Sequence, residues 1–158
     1  MLTDELSDKI RQTLDACEAH NSRMKSALRR LADCFPLSES RFRELTEDEV
    51  SYTDQLILRF LKLQDLMGQK LFNQILLILQ EDYTERPMLD IINRLEQLRI
   101  IDSAEKWIEL REVRNLITHD YPHMVAELIE GLNQLSINSK ELSALFEKIR
   151  KTIISRIG

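Results

Sequence analysis

The chain has 158 residues and a net charge of −5, a size that suits one domain with an ordinary core and a balance that excludes a broad electrostatic attraction to nucleic acid. A local cationic cleft on an acidic protein stays compatible with RNA. Gly and Pro occur three times each, while Leu, Ile, Glu, Arg, Lys and Gln dominate. These are helix formers, and the composition predicts an all-α protein with few tight turns.

Apolar positions from about residue 4 to 34 repeat in steps of four and three: Ile10, Leu14, Cys17, Asn21, Met24, Leu28, Leu31 and Phe35. This is a heptad seam with one polar position, Asn21, and it predicts a first helix roughly 45 Å long. The seam needs a partner, either another helix of the bundle or a second subunit, and Asn21 is placed to set its register. Cys17 and Cys34 share the seam 17 residues apart, too far to reach each other along a helix. They read as reduced, buried thiols of a cytoplasmic protein. No basic-plus-apolar leader precedes the seam, and no apolar run is long enough to cross a membrane.

Pro36 stops the first helix, and residues 36–45 read as a connector or a short helical turn. Thr46 and Glu49 then form a capping box for a second helix over about 47–70, apolar nearly all round. Its polar residues Asp54, Arg59, Gln64 and Asp65 have to find partners, face a cleft or lie at an interface. Gly68 suggests a close helix contact or a bend, and helical periodicity continues over 71–80. A loop follows, with Pro87 as a first-turn residue of a short helix over 88–98. Asp102 with Glu105 gives another cap-like start, for a helix over about 103–119. Tyr121 precedes Pro122, which biases it away from the helical region and predicts a kink at 119–121. A helix to about 134 and a last one from Asn138 complete the pattern. The basic residues Lys148, Arg150, Lys151 and Arg156 lie in that last helix, placed to suit its dipole. The expected architecture is one antiparallel up-and-down helical bundle spanning residues 1–158.

Chemistry-bearing motifs are scarce: there is no HExxH, CxxC pair, P-loop or GxGxxG. His119 and His123 lie four apart, but Pro122 breaks their helical spacing and no acidic pair completes a ligand set, so no metal site and no cofactor are expected. What remains is "LREVRNLITHDYPHM", residues 110–124, with Arg114, His119 and Tyr121. Positions five apart on a helix point about 140° apart, so Arg114 and His119 share a cleft only if the kink re-aims the histidine. Arginine grips phosphate with a bidentate fork, and histidine moves a proton near neutral pH. Together they suffice for RNA cleavage without a metal, with His119 as base towards a ribose 2′-hydroxyl and Arg114 stabilising the phosphorane. By spacing alone, however, an R-x4-H string is frequent by chance and favours a helix end that simply packs and caps.

The string "REVRNLITHDYP" resembles the HEPN superfamily motif R-x4–6-H in its R-N-x-x-x-H-x-Y form, which is similar to that of the toxins of HEPN/MNT (HepT/MntA-type) toxin–antitoxin pairs. "DQLILRFLKLQDLMGQKLF" (54–72) and "LEQLRIIDSAEKWIELREVRN" (95–115) resemble the central helix and lead-in of one branch of that group, so the likeness covers about residues 47–135. The resemblance implies a HEPN-type bundle that forms a homodimer, with two motif copies facing each other around one ribonuclease cleft. Carried over by position, Arg114 and His119 are catalytic and Asn115 supports them. Tyr121 matches the tyrosine that a partner nucleotidyltransferase antitoxin can AMPylate to silence the toxin. Asp54, Arg59, Gln64 and Asp65 either line the same cleft or make contacts within the bundle. The implied function is a type VII-like toxin, a metal-independent endoribonuclease. The alternative is a non-catalytic nucleotide- or substrate-binding subunit of a minimal nucleotidyltransferase.

Overall fold

The computed structural model describes residues 2–118 and 125–158, and of residues 2, 115, 116 and 118 the backbone only. All regular elements among the described residues are helices: α1 (Leu2–Arg30), α2 (Glu39–Arg43), α3 (Glu47–Leu66), α4 (Phe72–Ile78), α5 (Met88–Gln97), α6 (Ala104–Thr118) and α7 (Val125–Ile157). None is long and apolar enough to cross a membrane.

The seam of α1 is buried as its periodicity requires: Ile10, Leu14, Cys17, Asn21, Met24 and Leu31 are all in the core. Its partners are helices of the same chain. Arg30 lies over Tyr52 and Arg59 reaches His20, so α3 runs antiparallel to α1. Asn21 and Lys25 both donate to the Glu147 carboxylate, at 3.3 and 2.9 Å, and Arg11 donates to the Ile157 carbonyl, so α7 is antiparallel to α1 as well. Asn21 thus ties α1 to α7. Ion pairs of Lys106 with Glu141 and of Lys148 with Asp102 set α6 antiparallel to α7. The long helices α1, α3, α6 and α7 therefore alternate in direction around one core that includes Phe60, Phe72, Trp107 and Phe146.

Several boundaries differ from the sequence reading, each for a local reason. The first helix ends at Arg30, and residues 31–34 close it as a tightened turn, with Cys34 N–H donating to Leu31. The connector contains α2, capped by Ser38, whose hydroxyl accepts from Arg41 N–H. It is pinned to α7 by Asn133, whose amide oxygen accepts from Leu37 N–H and whose nitrogen donates to Leu37 O. One side chain thereby satisfies both backbone groups of a buried residue. Pro87 is the N-cap of α5, one place before the first helical turn. The start of α6 is capped by Ser103, which accepts from Lys106 N–H, whereas Asp102 turns to Lys148. Finally, α7 is one helix through residues 134–138, where two were expected. The polar run there is satisfied internally: Gln134 donates to Asn138, Asn138 to Glu141, and Ser136 to the Asn133 carbonyl. Residues that favour a break when their side chains seek backbone partners elsewhere are accommodated once those partners lie along the helix.

Thr46 and Glu49 form the expected capping box, with Glu49 N–H donating to the Thr46 hydroxyl and Thr46 N–H to the Glu49 carboxylate. The same carboxylate accepts from Arg41 at 2.6 Å and from the Cys34 thiol at 3.0 Å. Chiefly through Arg41, its pKa falls from 4.5 to about 2.

Candidate functional site

The site begins at a distortion in the helix. Between α3 and α4 the chain makes one π turn, Met67–Leu71, with Gly68 inside it. A Cβ on Gly68 would sit 3.2 Å from Trp107 Cζ2 on α6, so the missing side chain is what lets α6 approach this closely. Trp107 is locked by Phe72, whose ring meets it edge-on at 4.7 Å. π turns arise where a helix must re-aim its side chains, and they gather at functional sites.

The close approach brings Arg114 of α6 over Asp65 in the last turn of α3. Arg114 Nε donates to Asp65 Oδ1 at 2.8 Å and Nη2 to Oδ2 at 3.0 Å, a bidentate fork. The side chains are 28% and 34% exposed, so water screens the pair and it contributes on the order of 1 kcal/mol. Its larger effect is orientation: two N–H donors of the guanidinium are committed, which fixes the plane of the group. Arg114, Asp65, Gln64, Gly68, Gln69 and Arg111 line a small polar cleft of about 60 Å³. Gln64 is 2% exposed, and both polar atoms of its amide are buried without a hydrogen bond. Such an orphan amide is costly and marks a place where a donor–acceptor partner would be favourable.

Of the residues singled out from the sequence, Arg114, Gln64 and Asp65 meet in this cleft. Arg59 does not join them: its Nη1 lies 2.9 Å from His20 Nδ1, on the seam with α1. Asp54 lines a separate, mainly apolar groove with Val50, Ile57, Leu128 and Leu132. His119 and Tyr121 lie outside the described residues, as does the predicted kink, and for Asn115 only its place in the last turn of α6 is described. Arg111 and Gln69 escaped the sequence reading. Arg111 had a usable signal, because it stands three residues before Arg114 and so shares its helix face. Gln69 had one as well, because it stands four residues after Asp65 and so shares its helix face.

Comparison with protein families, curated proteins and solved structures finds no match for the chain.

Proposed function

We propose that the protein is an endoribonuclease that works as a homodimer, the toxin of a type VII-like HEPN/MNT pair whose nucleotidyltransferase partner silences it by AMPylating Tyr121. The observation that carries this reading is the bidentate hold of Asp65 on Arg114 within a polar cleft. A helix end that merely packs has no need of an oriented guanidinium beside an orphan amide. Arg114 then offers a fixed cation to a phosphate, and Asp65 acts as its positioning residue. Chemically, His119 accepts the proton of a ribose 2′-hydroxyl as that oxygen bonds to phosphorus. The bond to the 5′-oxygen breaks, and the leaving oxygen takes a proton from the second copy's histidine. Arg114 stabilises the charge that accumulates on the phosphorane. An adenylyl group on Tyr121 adds bulk and a negative phosphate beside Arg114, blocking the cleft and neutralising its cation.

Dimerisation is supported by an uncovered stripe on α3. Val50, Asp54, Leu58, Leu61 and Asp65 recur at helical spacing, and Val50 and Leu58 are 46% and 44% exposed. Leu128 of α7, 43% exposed, flanks the same groove as Val50. An apolar stripe that ends at Asp65 is where a second copy would bring its own Arg114 close to the first.

The deciding experiment is RNA cleavage by the purified protein against its Arg114→Ala and His119→Ala variants. Loss of cleavage in both, with folding intact, is expected; equal cleavage by wild type and His119→Ala would sink the reading. A wild type that leaves RNA uncut yet forms a stable complex with a nucleotidyltransferase would favour the binding-subunit alternative.

A further inference from the structure

A second polar feature lies on the seam between α1 and α3. His20, Arg23 and Arg30 from α1 stand along Arg59 and Lys62 from α3. Arg59 donates from Nη1 to His20 Nδ1 at 2.9 Å, because a guanidinium has no acceptor and the ring nitrogen must receive. His20 is therefore neutral at that nitrogen. Its pKa lies below 6.5, first through burial and then through the positive charge of Arg59, Lys62 and Arg23, with no carboxylate opposing them.

Several cations of the molecule have carboxylate partners: Lys25 with Glu147, Arg41 with Glu49, Arg94 with Glu81, Lys106 with Glu141 and Lys148 with Asp102. Among the described residues, Arg23, Arg59 and Lys62 make no ion pair. A chain of net charge −5 has acids to spare for them. Clustered cations left without acids repel one another, and that repulsion is relieved by an anion from outside. Arg30, stacked 5.6 Å over the Tyr52 ring, extends the row. From Arg30 to His20 the row is roughly 15 Å long at 1.5 Å per residue. Its other end approaches the Arg114 cleft. Lys62 precedes Asp65 by three residues, so the two are neighbours on the face of α3, and Arg111 stands in the cleft beyond.

We propose that this strip of Arg23, Arg59 and Lys62 along the α1–α3 seam binds the phosphate backbone of a single RNA strand and leads it to the Arg114 cleft. The choice of RNA rests on the ribonuclease reading; the contact itself is between guanidinium or ammonium groups and phosphodiester oxygens, and carries no base sequence. Narrowness favours one strand, since the cations form a single row.

The test uses the full chain and a short labelled oligoribonucleotide with 2′-O-methyl sugars, which has no free 2′-hydroxyl to attack. Binding is followed by fluorescence anisotropy at several salt concentrations. Arg23 and Lys62 are exposed, so the double variant Arg23→Gln/Lys62→Gln is expected to fold as the wild type does. It should bind about tenfold more weakly, with the slope of log affinity against log salt smaller by about 1.4, or about 0.7 for each lost phosphate contact. Ring-proton NMR should also show the His20 pKa rising when the oligomer binds to the wild type, as a phosphate replaces uncompensated positive charge. No binding by the wild type, or an unchanged affinity and salt slope in the variant, would overturn the strip. The two proposals fail separately. Strip-dependent binding by a protein that cuts no RNA removes the nuclease and keeps the strip, whereas cleavage by the double variant at wild-type KM removes the strip and keeps the nuclease.

Discussion

Single side chains in this bundle hold several loose ends at once. Glu49 closes the capping box of α3, receives Arg41 and accepts from the Cys34 thiol, so one carboxylate joins the end of α1, the connector and the start of α3. Burial and the hydrogen bond to Glu49 push the Cys34 thiol upward, and burial takes Cys17 up to about 12, so neither is a ready nucleophile. A carboxylate whose folded pKa is depressed stabilises the fold above its unfolded value and loses that contribution as pH falls through the folded one. For Glu49 the window runs from about 4.5 down to about 2. Denaturant midpoints should accordingly show Glu49→Gln weaker than the wild type at neutral pH, and the two proteins converging as pH falls through that window. A constant gap at every pH would show that the charge contributes nothing.

Helix ends decide much at the next scale. Both α4 and α5 end in Schellman-type caps with a non-glycine residue at positive φ: Gln80 at 65° and Arg99 at 60°. After α5, Ile100 N–H donates to Leu95 O and Arg99 N–H to Glu96 O, each at 2.9 Å. The left-handed conformation costs a side chain about 1–2 kcal/mol, part of which glycine returns through its greater freedom when unfolded. Arg99 is exposed. Arg99→Gly should therefore raise unfolding free energy by about 0.5–1 kcal/mol. A lower denaturation midpoint would mean that the arginine makes a contribution larger than its backbone strain. The π turn at Gly68 acts at the same scale on the site, since it sets how near α6 comes to α3 and with it the reach of Arg114 to Asp65.

For the whole molecule, the surface divides into regions of different character. The α1–α3 seam is cationic, the Arg114 cleft is polar, and the stripe with Val50, Leu58 and Leu128 is apolar. If that stripe is the contact between two copies, sedimentation should find a dimer for the wild type and a monomer for Leu58→Glu/Leu128→Glu. Helical circular dichroism should be retained, because both positions lie on the surface. A monomeric wild type at micromolar concentration would leave the proposed second histidine without a source.

Periodicity alone determined that this is an all-α chain, that α1 is a long seam with Asn21 inside it, and that Thr46 opens α3, because these depend on neighbours within a turn or two of helix. Arg114 became a candidate through the motif string around it, not through periodicity. Periodicity could not show that the α1 seam is covered by α3 and α7, or that Asp65 and Gln64 converge on Arg114 while Arg59 turns to His20. Those outcomes depend on pairs brought together from distant parts of the chain, such as the Arg114 and Asp65 side chains 49 positions apart. Packing decides them, and at the cleft one π turn and one missing Cβ at Gly68 let α6 approach closely.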